Sequence, residues 1–235
     1  MTPYYQDDWV TIYHGDALEF TPDLAVDVAI TDPPYNAGKA YGVHDDAMPD
    51  AEFRAWLGRR FAAIDADSLV YFPGTRNIWS VPAVLGDWRF KRMLGWHKRE
   101  YAGDLWSGGP AMCWEPIIWA LRGGVEARFN RVFGWQGRDF LAVDSVHGNP
   151  MSAVHPCPKP LPVMAWLVGL FALPGDVVLD PFAGTGTTLL AAKTLGHKVI
   201  GIEIEERYCE IAAKRCAQEV FDFPHPIPPP GEENR

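Results

Sequence analysis

Between residues 176 and 203 the sequence reads as a strand (DVVLD), a glycine turn (PFAGTG), a helix from about Thr187 to Leu195 and a second strand (KVIGIE) ending on an acid. Strands joined through a helix lie parallel, and a parallel sheet is covered on both faces. Gly184 and Gly186 let the backbone come close to a ligand and leave amide groups open at the helix start. Glu203 stands 19 residues after Gly184, at the strand end. A carboxylate there can accept hydrogen bonds from both hydroxyls of a ribose. The G-x-G-x-x-G dinucleotide fingerprint is incomplete, since Gly184 and Gly186 alone are present. A tight connection with no ligand is the plain alternative; the flanking strands and the spaced acid favour an adenosine-containing ligand.

The rest of the chain continues the alternation of strands and helices. Val10–Tyr13 and Val26–Thr31 read as strands, the second stopping at Asp32-Pro33-Pro34, which places that motif on the loop beyond a strand's carboxyl end. Residues 36–48 read as a polar loop. A helix is predicted from Pro49-Asp50 to about Ile64, a strand over Ser68–Phe72 and a short helix over Asn77–Leu85. Trp88–Trp96 and Cys113–Leu121 suggest an antiparallel hairpin at one sheet edge. Helices over Leu161–Leu173 and Glu205–Val220 complete the pattern, and the tail from Phe223 is rich in proline. The expected fold is α/β, a three-layer Rossmann-like arrangement around a seven-stranded, mostly parallel sheet. The domain is placed at 1–221, with a small recognition region near 122–150 and a tail over 222–235.

With 235 residues, 48% hydrophobic and 22% charged, the chain is long enough for one domain with a sizeable core. It contains no 18-residue apolar run and begins without a basic, apolar leader, so a cytoplasmic location and no membrane partner are expected. Cys113, Cys157, Cys209 and Cys216 form no C-x-x-C pair, which argues against a disulfide framework and a zinc site. Cys209 and Cys216 are read as buried small hydrophobes, and no metal is expected.

Asp180-Pro181-Phe182-Ala183-Gly184-Thr185-Gly186, with the helix and strand that follow it, resembles the S-adenosylmethionine-binding segment of amino-directed (N6-adenine and N4-cytosine) DNA methyltransferases. The resemblance implies S-adenosylmethionine as cofactor, leaving as S-adenosylhomocysteine. It implies Glu203 on the ribose, and Asp180 with the turn (through Thr187) near the methionine part. Gly15-Asp16 is similar to the family element beside the cofactor's adenine. His155-Pro156-Cys157-Pro158-Lys159-Pro160 is similar to the family's H-P-x-x-K-P, which carries Lys159 to the methionine pocket. A helix cap for Asp16 and a surface position for Lys159 are the alternatives.

Asp32-Pro33-Pro34-Tyr35 resembles the same family's reaction centre. An exocyclic base amine is a weak nucleophile because its lone pair is delocalised into the ring. Two acceptors holding its two N–H groups pull the nitrogen toward a tetrahedral shape. Asp32 offers a carboxylate, Pro33 a carbonyl and Tyr35 a face on which a flipped base can stack, while the Pro33-Pro34 pair stiffens the turn. Asp in the first position favours adenine over cytosine. The motif precedes the cofactor turn, which is the permuted, beta-class order, with target recognition between the two.

Net charge is −9, which by itself speaks against nucleic acid. Segment 89–138, however, holds nine Lys/Arg against four acids, a balance of +5 that leaves −14 elsewhere. Arg122, Arg128, Arg131 and Arg138, with Lys39 in the loop after the reaction motif, are the candidate contacts to double-stranded DNA. The tryptophans at 96, 106, 114, 119 and 135 are read as core. The expected activity is adenine-N6 methylation, for example in restriction-modification, with a homodimer as one way to complete a short recognition region. Cytosine-N4 methylation, methylation of RNA or a small molecule, and a non-catalytic cofactor- and DNA-binding role are the alternatives.

Overall fold

The structure, a computed structural model, describes residues 1–39, 44, 46–98, 112–130, 138–144 and 158–218. Among them nine strands form one sheet: β1 (Tyr5–Gln6), β2 (Val10–His14), β3 (Val28–Thr31), β4 (Ser68–Tyr71), β5 (Arg89–His97), β6 (Trp114–Leu121), β7 (Phe140–Ala142), β8 (Val177–Asp180) and β9 (Lys198–Glu203). The strand order is β1-β2-β9-β8-β3-β4-β6-β5-β7. The seven from β2 to β5 in that order make the expected sheet, and β1 and β7 add a short strand at each edge. The β5/β6 hairpin is therefore not outermost, because β7 pairs parallel to β5. β1 and β6 run against the other strands.

Side-chain alternation sends each central strand into two cores. Val28 and Ile30 of β3, Val70 of β4 and the adjoining Phe72 face one cluster, while Ala29, Leu69 and Tyr71 face the other. Helices α1 (Ala17–Phe20), α2 (Asp50–Ala63) and α3 (Val81–Leu85) cover the second face through Phe53, Leu57, Phe61 and Val84. A 3-10 turn over Thr75–Ser80 leads into α3, where a single short helix was predicted. On the first face lie α4 (Leu161–Phe171), α5 (Thr187–Thr194) and α6 (Glu206–Ala217). Helix α4 is buried continuously from Val163 to Phe171, as a helix lodged in a core is apolar all round. Cys209 and Cys216 are fully buried in that layer, and Trp96 and Trp119 are core residues. Trp114 is exposed instead; Trp106 and Trp135 lie outside the described residues. No helix among the described residues is long and apolar enough to cross a membrane.

The parallel strands all end on one rim. β3 runs into Asp32, β4 into Phe72, β8 ends at Asp180 and β9 at Glu203. In an open parallel sheet, ligands bind beyond those carboxyl ends.

Candidate active site

A cavity of about 350 Å3 opens on that rim. Of the eleven candidate cofactor residues, ten line it: Asp16, Lys159, Asp180 to Thr185, Thr187 and Glu203. Gly186 lies behind it, where its left-handed φ of 78° turns the chain into α5 and an added Cβ would come within 2.8 Å of Ala212 Cβ. Helix α6 braces this turn from behind, with the Arg215 guanidinium donating to the Thr185 carbonyl.

Glu203 accepts from the Gly184 amide at 2.7 Å and from the Glu205 amide at 2.9 Å, which aims the carboxylate into the turn. Burial pushes this carboxyl up to about 7 against those two bonds. Burial likewise pushes Asp180 up to about 6, although Thr188, Thr31 and the Phe182 amide donate to it. Asp16 does two jobs. It caps α1 by accepting from the Leu18 amide at 2.9 Å, and it pairs with Arg60. The Arg60 guanidinium in turn lies 4.1 Å from the Trp56 ring, and Trp56 meets Phe182 at 5.7 Å. Both rings line the cavity and give it an aromatic wall.

The reaction motif stands at the same cavity, with Asp32 and Pro34 in its lining. Thr31, the last residue of β3, donates to Asp180 at 2.6 Å and so joins the two motifs side by side. Lys159 reaches Asp32 Oδ2 at 2.6 Å. The Tyr35 hydroxyl donates to Asp32 Oδ1 at 2.7 Å. Burial raises the Asp32 carboxyl above its ordinary range, against the pull of Lys159. The Tyr35 ring packs on Gly74, and Asn77 Nδ2 donates to the Tyr35 carbonyl at 2.9 Å. Pro33 is buried beneath the turn.

Four residues here went unnoticed in the sequence. Thr31 and Arg60 read as a strand end and a helix-face charge. Glu115 on β6 binds Lys98 at 2.5 Å and Lys159 at 3.6 Å. Burial opposes its charge, but Lys159 and Lys98 outweigh that and hold the carboxyl below its usual range. Asp46 is buried and accepts from the amides of Asn36, Ala37 and Lys39 at 2.8, 3.0 and 2.9 Å, fixing the chain that leaves the reaction motif. An Asp in a polar stretch carries no signal of such a role. Among the described residues no cluster of three His, Cys, Asp or Glu side chains is placed to hold a metal ion.

The structure does not bring the basic candidates to this rim together. Lys39 is there, exposed, beyond the reaction motif. Arg122 follows β6, and because β6 is antiparallel to β4, it stands at the opposite end of the sheet, beside Ser68. It stacks on Trp88 at 4.1 Å. Arg128 pairs with Asp67 at 3.2 Å and approaches Asp176 at 3.8 Å, both at strand starts on that far end. Arg138 is exposed on the outer edge, just before β7. Arg131 lies outside the described residues. Among the described residues of 89–138, Arg128, Lys98 and Arg92 are each paired within the chain, the last two with Glu115 and Asp139.

A profile of the N6/N4 methyltransferase family, described as DNA methylase, matches residues 26–214. The chain is 28% identical to the type II methyltransferase M2.DpnII of Streptococcus pneumoniae, over 92% of this chain and 93% of that one. It is 27% identical to the type II methyltransferase M.ScaI of Streptomyces caespitosus, over 92% and 84%. Among solved structures, the M1.HpyAVI–SAM complex superposes with a TM-score of 0.68 at 28% identity, covering 88% of this chain and all but 1% of that one. The cytosine-N4-specific PvuII DNA methyltransferase shares the fold, with a TM-score of 0.73 at 16% identity over 93% and 90%. With most of its length matched by that profile and both motifs set at one rim, the chain belongs to the N6/N4 DNA methylase family.

Proposed function

We propose that the chain transfers a methyl group from S-adenosylmethionine to the N6 amino group of adenine in double-stranded DNA, with the target base turned out of the helix. The observation that carries this reading is the position of Asp32 in the lining of a cavity that also holds Asp180 and Glu203. Glu203 fits a ribose, the wall of Trp56 and Phe182 fits a purine, and the carboxylates of Asp180 and Asp32 favour a cationic group between them. The relative M1.HpyAVI was solved as a SAM complex, which agrees with that cofactor.

When bound, S-adenosylmethionine supplies an electrophilic methyl carbon on a positively charged sulfur. Asp32 accepts one N–H of the base amine and the Pro33 carbonyl the other, so that the nitrogen lone pair points at that carbon. With the cofactor bound, transfer would form the N–C bond as the C–S bond breaks and leave that electron pair on sulfur. Asp32 is then the nearest carboxylate to take the proton that the nitrogen sheds. Tyr35 offers a ring to the flipped base. Adenine is preferred because Asp stands first in the motif. DNA on this reading lies across the rim, where Lys39 and Arg76 are exposed, and the recognition region falls within the part of 122–150 that follows Arg128.

Incubation with methyl-labelled cofactor and duplex DNA, followed by digestion to nucleosides, tests this. Label in N6-methyladenine is the expected result. Label in N4-methylcytosine would overturn the choice of base, and label confined to RNA would remove DNA as substrate. Binding of DNA without transfer would leave a non-catalytic role.

A further inference from the structure

Asp32 has to receive a substrate N–H, yet both of its oxygens already hold partners. Lys159 Nζ is 2.6 Å from Oδ2 and the Tyr35 hydroxyl 2.7 Å from Oδ1. Each of those partners has a second acceptor, and it is the same atom. Glu115 Oε2 lies 3.6 Å from Lys159 Nζ and 3.4 Å from the Tyr35 hydroxyl. Glu115 itself is held in place, since its other oxygen binds Lys98 at 2.5 Å and its backbone pairs with Trp96 of β5. The Lys159 and Glu115 side chains are only 7% and 12% exposed. A buried ammonium that leaves one carboxylate needs another to receive it, because an unpaired buried charge is costly.

We propose that Glu115 is a positioning residue for methyl transfer: it takes over Lys159 and the Tyr35 hydroxyl when a base amine reaches Asp32. The inference rests on the reaction proposed above but not on the choice of adenine, because either exocyclic amine would displace the same partners. A shift of about 1 Å in each partner completes the exchange, and the net charge of the cluster stays constant throughout. Among the described residues, the charged groups facing Lys159 include Asp32 from the end of β3 and Glu115 from β6; Lys98 lies behind Glu115, Asp180 is linked to Asp32 through neighbouring Thr31, and the rings of Tyr35 and Phe72 stand 5.1 and 5.0 Å from the ammonium.

The full chain with Glu115→Gln tests this, using labelled S-adenosylmethionine, duplex DNA and single-turnover kinetics. The amide keeps the shape but not the charge, so Lys159 stays on Asp32. The expected result is a transfer rate down by about tenfold or more, the scale of one charge-assisted hydrogen bond, with cofactor affinity retained. The rate should climb with rising alkaline pH, because loss of the Lys159 proton releases Asp32. Glu115→Asp, which keeps the charge at shorter reach, should recover much of the loss. A Glu115→Gln enzyme with the wild-type rate and pH profile overturns the proposal. So does a slowed enzyme whose pH profile is unchanged and which Asp does not rescue, since that marks a structural role. Should Glu115→Gln fail to bind cofactor, Glu115→Asp decides alone: a transfer rate reduced only a few-fold with cofactor affinity retained supports the exchange, and the wild-type rate or a loss of about tenfold or more overturns it. Absence of transfer by the wild-type protein would instead count against the reaction itself.

Discussion

Thr31 donates a 2.6 Å hydrogen bond to Asp180 across neighbouring parallel strands, 149 positions apart in the chain. The reaction motif begins at the next residue, and the cofactor turn begins at its acceptor. Thr31→Val keeps the volume of this fully buried side chain and deletes the donor. Asp180 then retains the Phe182 amide and Thr188 but moves further toward its protonated form. The expected cost is about 1–3 kcal/mol of stability, as for losing a buried bond to a charged group, together with weaker cofactor binding. Thermal melts and a cofactor titration check it; a variant matching the wild type in both would show that the bond couples nothing.

Asp32→Asn keeps the shape of the acceptor but removes its charge. Methyl transfer should fall by about 100-fold or more, the scale for losing a preorganised electrostatic partner at a reacting atom. Cofactor affinity should fall far less than the rate, because the Asp180 carboxylate and Glu203 remain in the cavity, and Lys159 keeps Glu115 as a partner. Single-turnover transfer and equilibrium dialysis separate the two effects. Turnover near the wild-type rate would sink the role given to Asp32.

Glu203 should make cofactor binding sensitive to pH. Burial holds its carboxyl at about 7 in the folded, unliganded chain, against an ordinary 4.5. Between those values the folded state keeps a proton that the unfolded chain has lost, so folding stability from this group declines as pH rises from about 4.5 to 7. Ribose hydroxyls donating to the carboxylate favour its ionised form. Affinity should therefore strengthen as pH rises toward 7, by up to about tenfold per unit, and level off above it. Asp180, at about 6, adds a second slope at lower pH. Glu203→Gln should weaken binding at pH 8 and erase the slope near neutrality while leaving that of Asp180. Calorimetric titrations from pH 5.5 to 8.5 read both.

How much of this was legible in the sequence depended on whether the signal was local. The cofactor turn and the D-P-P-Y turn are contiguous, and proline, glycine and β-branched runs fix their place at strand ends whatever surrounds them. The strands β3, β4, β8 and β9 emerged within two residues of their expected limits for the same reason. β1 and β7, with two and three residues, offer too few positions for alternation to register. Glu115 and Asp46 gain their roles from partners 44 and up to 10 positions away, Lys159 for the one and the amides of Asn36 to Lys39 for the other, and nothing in their own neighbourhoods announces it. The placement of the basic segment was hidden for a related reason. Its charge is contiguous along the chain, but β6 reverses direction and carries Arg122 away from the rim.

That reversal separates two groups of arginine and lysine that composition alone treats as equal. Arg122 and Arg128 stand beside Ser68 and Asp67, where β4 begins, about 10 Å of strand from its far end at Tyr71. Lys39 and Arg76 are exposed past the carboxyl ends of β3 and β4, at the level of Asp32. A duplex delivering a base to Asp32 would meet the second pair and miss the first. Lys39→Ser and Arg76→Ser should each weaken DNA binding and lower the slope of log affinity against log salt by about one unit per lost phosphate contact. Arg128→Ser should leave DNA affinity and its salt slope unchanged and cost less than about 1 kcal/mol of stability, because its ion pair with Asp67 is about half exposed. Fluorescence anisotropy of a labelled duplex, titrated at several salt concentrations, measures all three variants. A salt slope that falls for Arg128→Ser and holds for the rim variants would place the DNA on the opposite end of the sheet, and would break the link between duplex binding and Asp32.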